Sequence, residues 1–279
     1  MILSFHPLFE ADHNILCAGR QPDITDLEAI KAAAAVILPQ GCSQALYEMA
    51  EMNCNHVFPN YGARFKYPGK IGQIHLFRRL NVPHPESAVY PNVAAFSQNY
   101  SDAPSRLPHK LPFVFKFDWG DEGDTVYLID SPAALQDTLR TAVTYESSGQ
   151  YGFLIQEFIP EQNKTLRVVI IGQKAISYWR VQQNIETFPV NLSKGAVIDN
   201  ESDPDLQQLG VTAVKDLCIQ TAIDLAGFDV IFSNGSKPEP EALLLEINYF
   251  FGRKGLGGSA SYYEILKAEI NNWLNSLNM

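Results

Sequence analysis

The sequence predicts a mixed α and β chain, a small parallel α/β unit followed by a larger α+β region. Two observations carry this reading. The first 60 residues alternate short apolar runs with helical stretches, and the later two thirds pair apolar runs across short turns near residues 120, 173 and 237. Alternating strands and helices build parallel sheet, whereas strands joined by tight turns build antiparallel sheet. At 279 residues, 46% hydrophobic and 19% charged, the chain is an ordinary globular one with room for a sizeable core.

The elements follow in order. "MILSFHPLF" reads as a strand, "ITDLEAIKAAA" as a helix capped by Asp23 or Thr25, and "AAVILPQG" as a buried strand ended by Pro39 and Gly41. "CSQALYEMAEM" gives a second helix and "HVFPNY" a third strand, after which the Gly/Pro-rich "YGARFKYPGK" reads as a linker. "KIGQIHLFRRL" is a helix that Pro83 and Pro85 prevent from continuing. Beyond the polar "QNYSDAPSRLPHK", "LPFVFKFDWGDEGDTVYLI" reads as strand, glycine loop and strand. A helix near "SPAALQDTLRTAV", the strand "YGFLIQEFI" and the strand pair "TLRVVIIGQKAISYWRV" come next. The helix "DLQQLGVTAVKDLCIQTAIDLAG" is expected to stop at Gly227, where Asp229 opens the strand "FDVIFS". The strand "ALLLEIN" and a terminal helix complete the chain.

Several function classes are disfavoured. With 21 basic and 31 acidic residues, a net charge of −10, a phosphate-tracking nucleic-acid surface is not expected. No apolar run approaches the roughly 18 residues needed to span a bilayer, and the N-terminus lacks a basic leader, so neither membrane nor secretion is expected. Cys17, Cys42, Cys54 and Cys218 are scattered without a C-x-x-C pair and read as buried reduced thiols, which points to the cytoplasm.

The chemistry concentrates in four stretches. In "FDVIFS…ALLLEIN", Glu246 and Asn248 share a strand face, with Leu245 and Ile247 packing the other. Asp229 and Glu246 lie at comparable distances from the intervening turn and are placed as cross-strand neighbours. Two carboxylates and an amide oxygen suit a hard cation such as Mg²⁺, or simply face solvent from an edge strand. In "PFVFKFDWGDEG", Lys116 precedes Gly120 and Gly123, a phosphate cradle or an ordinary hairpin. "FLIQEFIP" ends in Gln156 and Glu157 before Pro160 and offers backbone groups to a flat heterocycle. Lys70, Arg167, Arg180, Lys194 and Arg253 are cations suited to a polyphosphate, though each is compatible with a surface charge. The histidines 6, 13, 56, 75, 84 and 109 fall away from the candidate metal set. "GLGGSA" at 255–260 mimics a dinucleotide fingerprint, but the 19 residues after Ala260 leave no room for the second strand and acid that motif needs.

In this order the motifs resemble the ATP-grasp superfamily, and within it the branch of ribosomal-protein glutamate ligases (RimK-like). The resemblance covers residues 67–279, and residues 1–66 are similar to the small α/β domain that precedes such modules. It implies two α+β lobes clamping ATP, the smaller at about 105–158 and the larger at about 159–279. Carried over, Lys70 and Lys116 would contact the nucleotide phosphates, beneath a loop from Trp119 through Gly120 and Glu122 to Gly123. Gln156, Glu157, Phe158 and Ile159 would hold the adenine. Arg167, Arg180 and Lys194 would neutralise the transferring phosphoryl group. Asp229, Glu246 and Asn248 would bind two Mg²⁺ ions, with Mn²⁺ an allowed substitute. Where relatives carry an acid two residues before the strand arginine this chain has Thr165, which leaves the ribose contact to Glu161 or Asn163. After Asn248, "YFFGRKGLGGS" replaces the relatives' small residue, proline and glycine. Arg253 or Lys254 would meet an acceptor carboxylate there.

The activity so implied is an ATP-dependent carboxylate–amine ligase working through an acyl phosphate. Its substrates would be an amino acid, a peptide or another small carboxylate together with an amine. A small-molecule kinase on the same scaffold and an ATP-binding protein without turnover are the alternatives, and a homodimer is allowed.

Overall fold

The computed structural model describes the chain apart from residues 18, 101–106, 121–122, 161–162, 185–187, 193–194 and 234–238. β1 (Ile2–Ser4) and β2 (His13–Asn14) lead into α1 (Ile24–Ala32), β3 (Ala35–Ile37), α2 (Gln44–Asn53) and β4 (Val57–Phe58). The four strands form one parallel sheet in the order β2-β1-β3-β4. Of the two expected caps for α1 it is Asp23 that serves, its carboxylate accepting from the N–H groups of Thr25 and Asp26. β2 consists of two exposed polar residues, so no apolar run announces it in the sequence.

The segment expected as a linker instead carries a short helix, α3 (Gly62–Lys66), and α4 (Gly69–Leu80) follows at once. Asn60 starts that turn, its side-chain oxygen accepting from the Gly62 N–H at 3.0 Å. The N-cap of α4, Pro68, supplies no side-chain acceptor. A carboxylate distant in sequence does so, with Asp118 Oδ1 accepting from the Ile71 N–H at 2.7 Å.

Next come β5 (Ser87–Tyr90), α5 (Val93–Tyr100), β6 (Phe113–Phe117), β7 (Val126–Ile129), α6 (Pro132–Ser147) and β8 (Phe153–Glu157). Their strands make an antiparallel sheet in the order β5-β8-β6-β7. Phe113, Phe115, Phe117, Phe153 and Ile155 pack one face into a core shared with α5 and α6. Alternation therefore turns Val114, Lys116 and Gln156 to the other face.

The third sheet contains β9 (Lys164–Ile171), β10 (Lys174–Val181) and β11 (Val197–Asp199). After α7 (Pro204–Thr221), β12 (Leu225–Ser233) and β13 (Glu241–Asn248) complete it, and α8 (Gly258–Ser276) closes the chain. It is antiparallel in the order β11-β10-β9-β12-β13. Leu166, Val168, Ile170, Phe228 and Val230 pack against α7 and α4. On the reverse face Val169, Ile171 and Leu225 pack against α8. That helix covers only part of the face, and Thr165, Arg167 and Asp229 occupy the remainder.

α7 does not reach Gly227. It ends at Thr221, with Ala222 in the left-handed region at φ 57°, and residues 225–227 already belong to β12. Gly227 has a packing role instead, since a Cβ there would lie 3.0 Å from both Arg167 Nη1 and Phe251 Cβ. Asp229 accordingly sits inside the strand rather than at its start.

The four cysteines are free, and three of them are buried. Among the described residues no helix is long and apolar enough to cross a membrane.

Asp224, between α7 and β12, ties the third sheet to the N-terminal segment. Its Oδ1 accepts from the Asn60 N–H at 2.8 Å, and burial pushes its carboxyl from 3.8 up to about 7. Between those two values the unfolded chain is ionised there while the folded chain keeps the proton, so stability falls as pH rises across that window. Asp224→Asn retains an oxygen for Asn60 and cannot ionise. Its melting temperature should exceed that of the wild type at pH 8 and approach it near pH 4, and equal values at pH 8 would refute the buried carboxyl.

Candidate functional site

Four strands of the third sheet bring one row of side chains together on the face that α8 leaves open. The register sets Tyr178 beside Arg167, Arg167 beside Asp229, and Asp229 beside Glu246. Asp229 is the centre of the row. Arg167 Nε donates to its Oδ1 at 2.6 Å and Arg180 Nη2 lies 2.8 Å from the same oxygen, while Asn248 Nδ2 donates to Oδ2 at 3.3 Å. Burial alone would raise the Asp229 carboxyl, but the two guanidinium groups overcome it and hold the carboxyl below its ordinary value. Arg180 also donates to Thr165 Oγ1 through Nε at 3.2 Å and Nη2 at 2.9 Å. Thr165 thus gives the second arginine a neutral partner where an acid would have given it a charged one.

Glu246 sits one strand further on, with Lys70 Nζ 3.7 Å from its Oε1. Its neighbour Leu245 does not pack with Ile247 as expected. The pairing slips between Asp229 and Val230, so Leu245 is an extra residue without a partner on β12, and it turns to the open face instead.

The second sheet stands opposite and encloses a cleft of about 800 Å³. Val114, Lys116, Val126 and Gln156 line its near wall, with the 157–159 segment at the end of β8. Thr165, Arg167, Arg180, Asp229, Ile231 and Glu246 line the far wall. The glycine loop between β6 and β7 depends on two left-handed residues, Gly120 at φ 88° and Gly123 at φ 77°. A Cβ at Gly120 would lie 2.4 Å from Thr125 Cγ2, and one at Gly123 would lie 2.6 Å from Pro189 Cγ. Lys70 reaches this loop too, donating to Gly120 O at 2.7 Å. The Trp119 indole turns away, stacked on Phe117 at 5.3 Å and edge-on to Tyr145 at 4.4 Å.

The loop after β13 makes the third wall. Phe250, Gly252, Arg253, Lys254, Gly258 and Ser259 all reach the cleft. The Arg253 guanidinium lies over the rings of Tyr262 and Tyr263 at 4.6 and 4.5 Å, and no carboxylate pairs with it among the described residues. Gln40 lines the same wall from the turn after β3 and donates to Tyr249 O at 3.0 Å. One histidine lies nearer than its position in sequence suggested. His6 packs edge-on against Tyr263 at 6.2 Å; burial first, then Arg253 and Lys267, lower its pKa to about 4.

Comparison with known families now bears directly on this geometry. The model of the RimK-like ATP-grasp domain matches residues 74–264. The chain belongs to the RimK-like ATP-grasp family. Solved structures with this fold include a RimK domain ATP-grasp protein from Sphaerobacter thermophilus, 15% identical over 85% of this chain and 81% of that one, with a TM-score of 0.56. The D-alanine–D-alanine ligase of Bacillus anthracis is 13% identical over 95% of this chain and 84% of its own, at 0.57. The VanG D-Ala:D-Ser ligase of Enterococcus faecalis is 13% identical over 86% and 73%, at 0.60. At such identities the likeness is one of fold. A comparison with curated proteins returns no significant match.

Of the residues singled out from sequence for this ATP-grasp chain, the cleft gathers Lys116, Gly123, Gln156, Glu157, Phe158 and Ile159 on one side. It gathers Arg167, Arg180, Asp229, Glu246 and Asn248 on the other, with Arg253 and Lys254 at the end. Lys70, Trp119 and Gly120 stand behind the lining rather than in it. Glu122, Glu161 and Lys194 lie outside the described residues. Sequence reasoning missed Gln40, Tyr178 and the 188–192 segment, which come from distant elements that no local motif marks.

Among the described residues no group of three or more His, Cys, Asp and Glu side chains gathers for a metal. The available set is two carboxylates and one amide, all oxygen donors, and it fits a hard divalent cation shared with a ligand rather than one held by protein alone. Two arginines compensate Asp229, and all three side chains are largely buried. Asp229→Asn would leave them without a counter-charge, and a loss of about 3–5 kcal/mol in chemical denaturation is expected; a loss below about 1 kcal/mol would contradict the buried cluster.

Proposed function

We propose that the chain is an ATP-dependent ligase forming C–N bonds between a carboxylate and an amine. The observation that carries this reading is the cleft with Lys116, Arg167 and Arg180 converging near Asp229 and Glu246. Cations and acids meet there in a space near the upper end of the roughly 300–1,000 Å³ range of ligand pockets, enough for a nucleotide and a small acceptor. The adenine lies along Gln156, Glu157, Phe158 and Ile159, where Val114 and Leu245 give apolar walls. The triphosphate lies toward Lys116, Arg167 and Arg180, beneath the glycine loop between β6 and β7, with Lys70 behind; Glu122 and Lys194 are assigned to the nucleotide from the family resemblance alone. Asp229, Glu246 and Asn248 hold Mg²⁺, two ions in this reading, which screen the phosphate charge when bound. The reading divides the chain into an N-terminal unit of residues 1–66 and an ATP-grasp module of residues 67–279.

The acceptor carboxylate attacks the γ-phosphorus, and the bond to the β-phosphate oxygen breaks to release ADP. The amine then attacks the acyl carbon, loses a proton and expels inorganic phosphate. Neither step needs a nucleophile from the protein; orientation and charge neutralisation carry the catalysis. The arginines are suited to this because they are already oriented by the Asp229 carboxylate.

An amino acid or short peptide is the acceptor class favoured by Arg253, whose charge has no carboxylate partner among the described residues. Two of the solved structures of similar fold are named as ligases acting on D-alanine, which agrees with this class. The test is ADP release with Mg²⁺-ATP across pairs of carboxylates and amines, with products weighed by mass spectrometry. A product heavier by a phosphate alone would make the chain a kinase. Glu246→Ala should lower ADP release about 100-fold or more, and undiminished release would refute the metal assignment. Arg253→Ala should raise the KM for the carboxylate about tenfold at unchanged kcat, and an unaltered KM would remove Arg253 from the acceptor site.

A further inference from the structure

Gln73 is a buried amide on α4 whose two polar ends bind a single residue of the third sheet. Its Nε2 donates to Ile247 O at 2.9 Å, and the Ile247 N–H donates to its Oε1 at 2.7 Å. β13 is the last strand of its sheet, so the outward N–H and C=O of Ile247 have no strand to pair with, and Ile247 itself is only 2% exposed. Gln73 replaces that strand at one position.

The position matters because Ile247 stands between Glu246 and Asn248. Two residues before it the register slips at Leu245, and an irregular edge strand fixes side-chain direction poorly on its own. The edge is held at one further point on the same side, where the Leu244 N–H donates to Pro83 O at 2.9 Å. α4 is a firm base for the clamp. One turn before Gln73, Ile71 is tied to Asp118 and Lys70 to Gly120 O, so one helical turn joins the glycine loop to the strand bearing Glu246.

We propose that Gln73 is a positioning residue. By gripping the Ile247 peptide groups from α4, it sets the direction in which Glu246 and Asn248 present their oxygens to a divalent cation. This rests on the reading of that pair as metal-holding, and the test separates the two claims.

Mn²⁺ is titrated into wild-type, Gln73→Met and Glu246→Ala proteins at saturating ADP, with bound ion read from loss of the free-ion EPR signal and the protein-free Mn²⁺·ADP titration subtracted. Methionine keeps the length of the side chain and removes both polar ends. Gln73→Met is expected to bind Mn²⁺ about tenfold more weakly, in the range seen when outer-sphere support for a ligand is lost. The Mg²⁺ concentration for half-maximal turnover should rise by the same factor while the KM for ATP stays put, a split that lost stability alone does not produce. Wild-type affinity in Gln73→Met, with binding abolished in Glu246→Ala, would overturn the role of Gln73 and leave the metal site standing. No protein-dependent binding in the wild type would overturn the metal reading and this inference with it. Should Gln73→Met fail to fold, amide exchange in the wild type decides instead. The Ile247 N–H should exchange about tenfold more slowly once Mg²⁺ and ADP are added, and an unchanged rate counts against the proposal.

Discussion

Asp229 is the constraint on which the open face of the third sheet depends. It is a buried acid on a central strand, and a buried charge persists only where partners compensate it. Two arginines do so, one on the adjacent strand β9 and one on β10 beyond it, and the strand register leaves little freedom in which residues those can be. Once the pair is fixed, other features follow. A side chain at Gly227 would press on Arg167 and Phe251 at 3.0 Å and displace the guanidinium from its place beside Asp229 unless they gave way. Thr165 must offer an oxygen because Arg180 has a second edge to satisfy. Such a cluster adds little net stability over an apolar core of similar volume, so its presence is better explained by what the polar groups do than by what they hold together.

The cluster also explains how one face can be a core and a cleft at once. Along β9 the residues at 169 and 171 are apolar and lie under α8, while those at 165 and 167 are polar and lie beyond its edge. The change of character falls where cover ends. Because α8 begins at Gly258 in the cleft wall, the same helix that seals the apolar half delimits the polar half.

Much of this was legible in the sequence, for physical reasons particular to each element. The parallel unit declared itself because short apolar runs alternate with helical stretches over the first 60 residues, one of which begins at the Asp23 cap. The neighbourhood of Asp229 and Glu246 followed from hairpin counting only to within one residue: strict alternation back from the Ser233–Glu241 pair would set Leu245 opposite Asp229, and the bulge at Leu245, which counting could not see, moves Glu246 into that place. What failed were boundaries and distant partners. The end of α7 was placed late because "AIDLAG" is apolar enough to extend a helix, and only the pairing of residues 225–227 with β9 and β13 decides for strand. The roles of Gln40 and His6 were invisible because each acts through tertiary neighbours more than 200 residues away in the chain, and that of Tyr178 because only the pairing of β10 with β9 sets it beside Arg167.

Composition misleads about the cleft for a related reason. A net charge of −10 correctly disfavours an extended phosphate-binding surface, yet Lys116, Arg167 and Arg180 converge against only two acids of the far wall. Screening at physiological ionic strength has a range of about 8 Å, so surface acids beyond that distance hardly alter the potential inside. Low-dielectric walls strengthen the charges that remain. A chain can therefore be acidic as a whole and still present a cationic site, provided the cations are few, near-buried and held in register. That is the condition Asp229 imposes on Arg167 and Arg180: their oriented guanidinium groups are both the compensation for a buried acid and the positive field that an anionic ligand would meet.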